Sequence, residues 1–215
     1  MKTRKVLNWL SLVLLAASAA QAESLVDGSI DAGKARSATC SACHGIEGKS
    51  ANPLWPNIAG QSATYLVEQL TAFRDGASNP AKANRYDPLM SPQSLTLTDE
   101  DIRNLAVYFE SLPAASQAVA DPDSIDRAEA LYRGGDVENE IAACLACHGP
   151  TGRGNPAASY PALHGQHAVY TAKQLRDYAS GTRKTDGATR MMRDIAARLS
   201  PEDIDALASY IQGLR

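Results

Sequence analysis

Three observations predict an all-α protein built from two tandem copies of one helical domain. A Cys-x-x-Cys-His motif occurs twice, as Cys40-Ser41-Ala42-Cys43-His44 and Cys144-Leu145-Ala146-Cys147-His148, 104 residues apart. Further matches follow in the same order at almost the same spacing. Apolar residues recur at helical intervals behind capping residues, and no long alternating run of β-branched residues appears.

The chain opens on Lys2, Arg4 and Lys5, a mostly apolar run from Val6 to Ala17, and the small-x-small triplet Ala20-Gln21-Ala22. That pattern predicts a secretory signal peptide over residues 1–22, cut after Ala22. Its apolar run is well short of the roughly 20 residues that span a bilayer. Losing three basic and no acidic residues takes the formal charge from −3 to −6. A mature chain this acidic argues against nucleic-acid binding, and no polybasic stretch suggests a membrane-binding patch.

The motif helix comes next. Residues three apart share a helix face, so both thiols of each Cys-x-x-Cys can reach the two vinyl groups on one porphyrin edge. The following histidine then lies beneath the iron, the attachment pattern of a c-type haem. A thioredoxin-like dithiol expects one motif between strand and helix. A shared zinc site needs the pairs close together, and disulfides within four-residue loops leave the histidines unexplained. The two copies use all four cysteines of the chain. Cys40, Cys43, Cys144 and Cys147 are therefore assigned to two covalent haem c groups, with His44 and His148 as proximal ligands.

Beyond the motifs, Pro56 and Gly60-Gln61 recur as Pro161 and Gly165-Gln166, and Tyr65, Gln69-Leu70 and Gly76 as Tyr170, Gln174-Leu175 and Gly181, all at an offset of 105. Ile102, Leu105 and Leu112 recur as Ile204, Leu207 and Leu214 at 102. The repeat gives domains at 23–113 and 126–215, joined by a small, polar, proline-bounded linker at 114–125. In the first domain Ser62 is the expected N-cap of a helix through Leu66 and Phe73, with Gly76 as its stop. Thr98 and Asp101 announce a capped amphipathic helix through Ile102, Leu105 and Phe109, ended by Pro113. Ser200 and Pro201 start its counterpart. Domains of about 95 residues with few aromatics need the haem as core.

The second axial ligand is constrained by scarcity. Between residues 23 and 113, His44 is the one histidine and Met90 the one methionine. Met90 is thus the candidate for the first iron. The second domain offers Met191, Met192, His164 and His167. Met90 precedes Ile102 by 12 residues and Met192 precedes Ile204 by 12, which favours Met192 over Met191. His164 and His167 flank the Gly165-Gln166 turn and read as surface or supporting residues. Arg183, Lys184, Arg190, Arg193 and Arg198 bracket Met192, either to steer an acidic partner or as a solvated loop with Asp186 and Asp194.

The two attachment motifs, the Pro…Gly-Gln turns and the methionines before the terminal helices resemble class I c-type cytochromes, and the tandem arrangement resembles the dihaem cytochrome c4 family across residues 23–215. The resemblance implies two small helical domains about a pseudo-twofold axis. It further implies haem propionates near their interface, and Pro56 and Pro161 carbonyls accepting hydrogen bonds from the proximal imidazoles. Ile46 stands where the second domain has Pro150, a mild departure. Periplasmic haem attachment is implied too, with a quinol-oxidising bc1-type complex upstream and a haem-copper terminal oxidase downstream. His/Met ligation leaves no open site on the iron and raises its potential, so an electron carrier, not an enzyme, is expected. The alternatives are a dihaem peroxidase or reductase, and a fixed subunit of a membrane dehydrogenase or oxidase, with peripheral membrane association.

Overall fold

The computed structural model describes residues 24–215; the signal peptide expected over 1–22 lies outside them. The described residues are helical, with isolated β-bridges and no extended sheet. The first half carries α1 (Ile30–Arg36), α2 (Ala38–His44), α3 (Ala63–Ser78), α4 (Met90–Ser94) and α5 (Asp99–Ser111). The second carries α6 (Ile125–Gly134), α7 (Leu145–His148), α8 (Ala168–Ala179), α9 (Met191–Ala196) and α10 (Pro201–Gly213).

Packing follows one plan twice. In the first half α5 packs on α1 and α3, α4 lies on α3, and α2 touches α1. In the second half α10 packs on α6 and α8, α9 lies on α8, and α7 touches α6. The cores are correspondingly separate. Leu66, Leu105, Val107 and Phe109 are buried in the first; Leu131, Tyr132, Leu207 and Ile211 in the second. Each such side chain contributes roughly 1.5–3 kcal/mol by leaving water.

The capping signals mostly hold. Thr98 Oγ1 accepts from Asp101 N–H while the Asp101 carboxylate accepts from Thr98 N–H, a complete capping box. Ser200 Oγ accepts from Asp203 N–H at 3.0 Å, with Pro201 in the first turn. Helix α5 ends at Ser111, ahead of Pro113.

Ser62 behaves otherwise. Its hydroxyl is buried with no partner among the described residues. The first amide of α3, Ala63 N–H, is instead donated to Glu110 Oε1 of α5 at 2.8 Å. Ala168 N–H and Gln212 Oε1 repeat that bond in the second half. A distant carboxylate or amide replaces the local cap because α5 and α10 run beside these helix starts.

Gly76 does not stop α3, which continues to Ser78. A Cβ there would lie 2.2 Å from the Arg85 carbonyl oxygen, so glycine admits the chain leading to α4.

Residues 114–121 are not a loose tether. Gln117 Nε2 donates to Gly165 O, Asp121 N–H to Ser209 Oγ and Gln212 Nε2 to Ala118 O. Gly60 and Gly165, both at φ +68°, let this segment pass: a Cβ would come within 2.8 Å of Ala114 Cβ at the first and 2.0 Å of Ala115 O at the second.

The halves meet through a twofold exchange. Gln61 brackets Ala162, its Nε2 donating to Ala162 O at 2.9 Å and its Oε1 accepting from Ala162 N–H at 2.8 Å. Gln166 brackets Asn57 in the same way, at 2.8 and 2.9 Å. The two helical domains are thereby related by a pseudo-twofold axis.

Candidate haem-binding sites

Each site begins on a short helix with little else against it. Among the described helices, α2 packs on α1 alone and α7 on α6 alone. The methionine-bearing α4 and α9 lie on the far elements, against α3 and α8. The motif helix and the methionine helix of each half thus make no direct helix–helix contact.

None of the four cysteines is paired in a disulfide. Cys43 is exposed, and Cys40, Cys144 and Cys147 are half-buried. Burial raises the Cys40 thiol and pushes Cys144 up to about 11, keeping both protonated near neutrality.

His44 and His148 are buried, 5% and 6% exposed. The His44 Nδ1–H donates to Pro56 O at 2.8 Å and the His148 Nδ1–H to Pro161 O at 3.0 Å. Burial lowers both imidazole pKa values, favouring the neutral ring. With Nδ1 spent on a carbonyl, the lone pair is fixed on Nε2, where a metal takes it.

The residues therefore fit a covalently held haem. Paired thiols lie one turn apart beside a neutral, oriented imidazole, and a half-buried methionine stands on a separate helix. Met90 N–H and Leu89 N–H both donate to Asp87 Oδ1, and Asp87 N–H donates to Ser91 Oγ, fixing the entry to α4. Met192 is half-buried whereas Met191 is exposed, 37% by surface, in keeping with the spacing that favoured Met192.

Two expectations need correction. His164 is half-buried, with Nδ1–H donated to Gly152 O. His167, read as a surface or supporting group, is 8% exposed and lies between the halves, its Nε2–H donated to Ser50 O at 3.0 Å. It stands there because its turn faces the motif loop of the first half.

Arg183 belongs to no solvated loop or docking face; it is 4% exposed. Arg193 is also committed, with Nε on Asp186 Oδ1 at 2.8 Å. Arg190 pairs with Asp194 and Arg198 with Glu140, both at the surface.

Sequence reasoning missed a cluster between the halves. Arg85, 8% exposed, donates to Gln69 Oε1, Tyr170 OH and Gln174 Oε1. Arg183 donates to Gln174 Oε1, Tyr65 OH and Gln69 Oε1. The tyrosines and glutamines had surfaced as repeat matches. The arginines had not, because their offset of 98 differs from that of their neighbours.

Comparison with known proteins matches this arrangement. The model of the family described as Cytochrome c matches twice, over residues 30–113 and 137–215. Cytochrome c4 of Stutzerimonas stutzeri is 44% identical over 87% of this chain and 90% of its own length. The crystal structure of reduced recombinant cytochrome c4 from Pseudomonas stutzeri superposes with a TM-score of 0.85 at 42% identity, over 88% of this chain and 100% of that one. A protein named thiosulfate dehydrogenase electron acceptor, from Stutzerimonas stutzeri strain A1501, is 37% identical over 80% of this chain and 76% of its own. Matched to the family in both halves, the chain belongs to the cytochrome c family as a dihaem cytochrome c4, an electron-transfer protein with two covalent haem c groups.

Proposed function

We propose that the chain is a periplasmic electron carrier with two lobes at 23–113 and 126–215 joined by 114–125. In this reading Cys40 and Cys43 hold the first haem and His44 and Met90 ligate its iron; Cys144, Cys147, His148 and Met192 do the same for the second. The observation that carries it is the pair of buried imidazoles, each locked by a proline carbonyl with Nε2 left for a metal.

Bound haem supplies a one-electron couple. The chain supplies the setting: Pro56 and Pro161 orient the imidazoles and raise their basicity. Met90 and Met192 would hold the irons from the other side with thioethers, which favour the reduced state. Side chains of the chain would then take the coordination places that a reactant would need.

No helix among the described residues is long and apolar enough to cross a membrane, which fits a carrier that docks on larger assemblies. A bc1-type complex as donor and a terminal oxidase as acceptor remain our expected partners. The relative named as a thiosulfate dehydrogenase electron acceptor supports a second donor, a soluble oxidoreductase.

Absorption spectra of the purified holoprotein test the reading. Two low-spin haems with a Met–Fe charge-transfer band are expected. A high-spin haem in the resting oxidised protein points instead to a peroxidase or reductase. Retention on membranes after a salt wash points to a fixed subunit.

A further inference from the structure

Arg85 and Arg183 are buried cations whose acceptors on the chain are amide and hydroxyl oxygens drawn from both domains. A buried guanidinium is costly unless its position is well fixed by hydrogen bonds, so the arrangement calls for a reason beyond packing.

Their places in the chain supply one. Arg85 lies on the segment leading into α4, five residues before Met90, and Arg183 on the segment leading into α9, nine before Met192. Each guanidinium reaches the opposite domain. Arg85 donates to Tyr170 OH at 3.0 Å and Gln174 Oε1 at 3.1 Å, both on α8. Arg183 donates to Tyr65 OH at 2.7 Å and Gln69 Oε1 at 2.8 Å, both on α3.

The two segments also bond directly, Lys184 N–H to Asn84 O at 2.7 Å. Behind them each guanidinium stacks on an aromatic ring of its own domain, Arg85 over Phe73 at 4.2 Å and Arg183 over Tyr178 at 4.6 Å. A planar, forked cation is what such a site needs: it stacks on one face and bridges several acceptors along its edge.

We infer that Arg85 and Arg183 are positioning residues for Met90 and Met192, each held by the opposite domain, so that each half sets the sixth ligand of the other's iron. The inference rests on Met90 and Met192 being those ligands. An iron–thioether bond is tuned by what holds its loop. A reciprocal clamp of this kind makes the two redox sites thermodynamically linked.

Tyr65 OH accepts from the opposite domain's Arg183, and Tyr170 OH from the opposite domain's Arg85. Tyr65→Phe and Tyr170→Phe remove one hydroxyl each at constant shape, and are tested in the holoprotein by spectroelectrochemical titration. The potentials are assigned to domains with Met90→His and Met192→His. Tyr65→Phe is expected to lower the potential of the second haem and perturb its Met–Fe band while leaving the first unchanged, and Tyr170→Phe the reverse. A threefold change in the oxidised-to-reduced ratio at fixed potential is expected, about 28 mV at about 59 mV per decade.

Arg183→Gln is expected to act in the same direction and more strongly, with partial recovery in Arg183→Lys. For the tyrosine variants, effects confined to the mutated domain, or none, overturn the clamp. If the wild-type protein lacks the Met–Fe bands, the ligand assignment fails and the clamp falls with it.

Discussion

The two methionine segments hold equivalent places in the repeat but stand in different surroundings. Around Met90 the surface is apolar, with Tyr86, Leu89 and Leu95 exposed, and the backbone is held by the short side chains Asp87 and Ser91. Around Met192 the surface is charged. The Asp186–Arg193 pair is largely enclosed, and Arg190–Asp194 and Arg198–Glu140 lie outside it. The duplicated fold thus keeps the interior packing and varies the exterior, giving one molecule two unlike faces.

The sharpest test of equivalence is ligand replacement. Met90→His and Met192→His should each lower one potential by a sizeable part of the roughly 0.8 V range that axial ligands command, leaving the other nearly in place. Redox titration reads both. A substitution that moves neither potential breaks the assignment for that half.

Next comes the enclosed ion pair, which the first half lacks. Asp186→Ala leaves Arg193 without its carboxylate and is expected to cost about 3 kcal/mol, seen as a lower unfolding midpoint.

Smaller effects separate the outer faces. Reversing Arg190 or Arg198 should change the ionic-strength dependence of electron transfer with a partner docking on the second half. Leu89→Ser and Leu95→Ser should slow transfer through the first half and leave the salt dependence alone. Identical salt slopes for all four variants would erase the proposed difference between the faces.

The smallest effects should be the same in both halves. Thr98→Ala and Ser200→Ala each remove an N-cap and should cost about 1 kcal/mol. The linked carboxylates, Asp101 and Asp203, are both held below the usual range, Asp101 chiefly by the Thr98 backbone N–H and Asp203 chiefly by Arg127. Their contribution is present above the ordinary carboxylate pKa and is lost as pH falls through the depressed folded value. Denaturation followed at progressively lower pH should show that loss, and Thr98→Ala should diminish it.

What was legible in the sequence is what repeats locally. The motif helices, the Thr98 box and the Ser200–Pro201 start depend on residues a few positions apart, and the structure keeps them. Ser62 and Gly76 were misread because their roles are set by residues distant in sequence, Glu110 and Arg85. The arginine cluster escaped for a related reason. The segments between α3 and α4 and between α8 and α9 are equally long, residues 79–89 and 180–190, but Arg85 is the seventh residue of the first and Arg183 the fourth of the second, so equivalent groups fall at unequal offsets. Position relative to the opposite domain is written in neither copy alone.

The mutual embrace of Gln61 with Ala162 and Gln166 with Asn57 carries a consequence for how such a chain arises and endures. Because the contact is self-complementary, a lone ancestral lobe already owns both sides of it and can pair with a second copy of itself. Fusion of two genes adds a tether without demanding a fresh surface. A protease nick within 114–121 should accordingly leave the fragments comigrating on a sizing column until denaturant parts them.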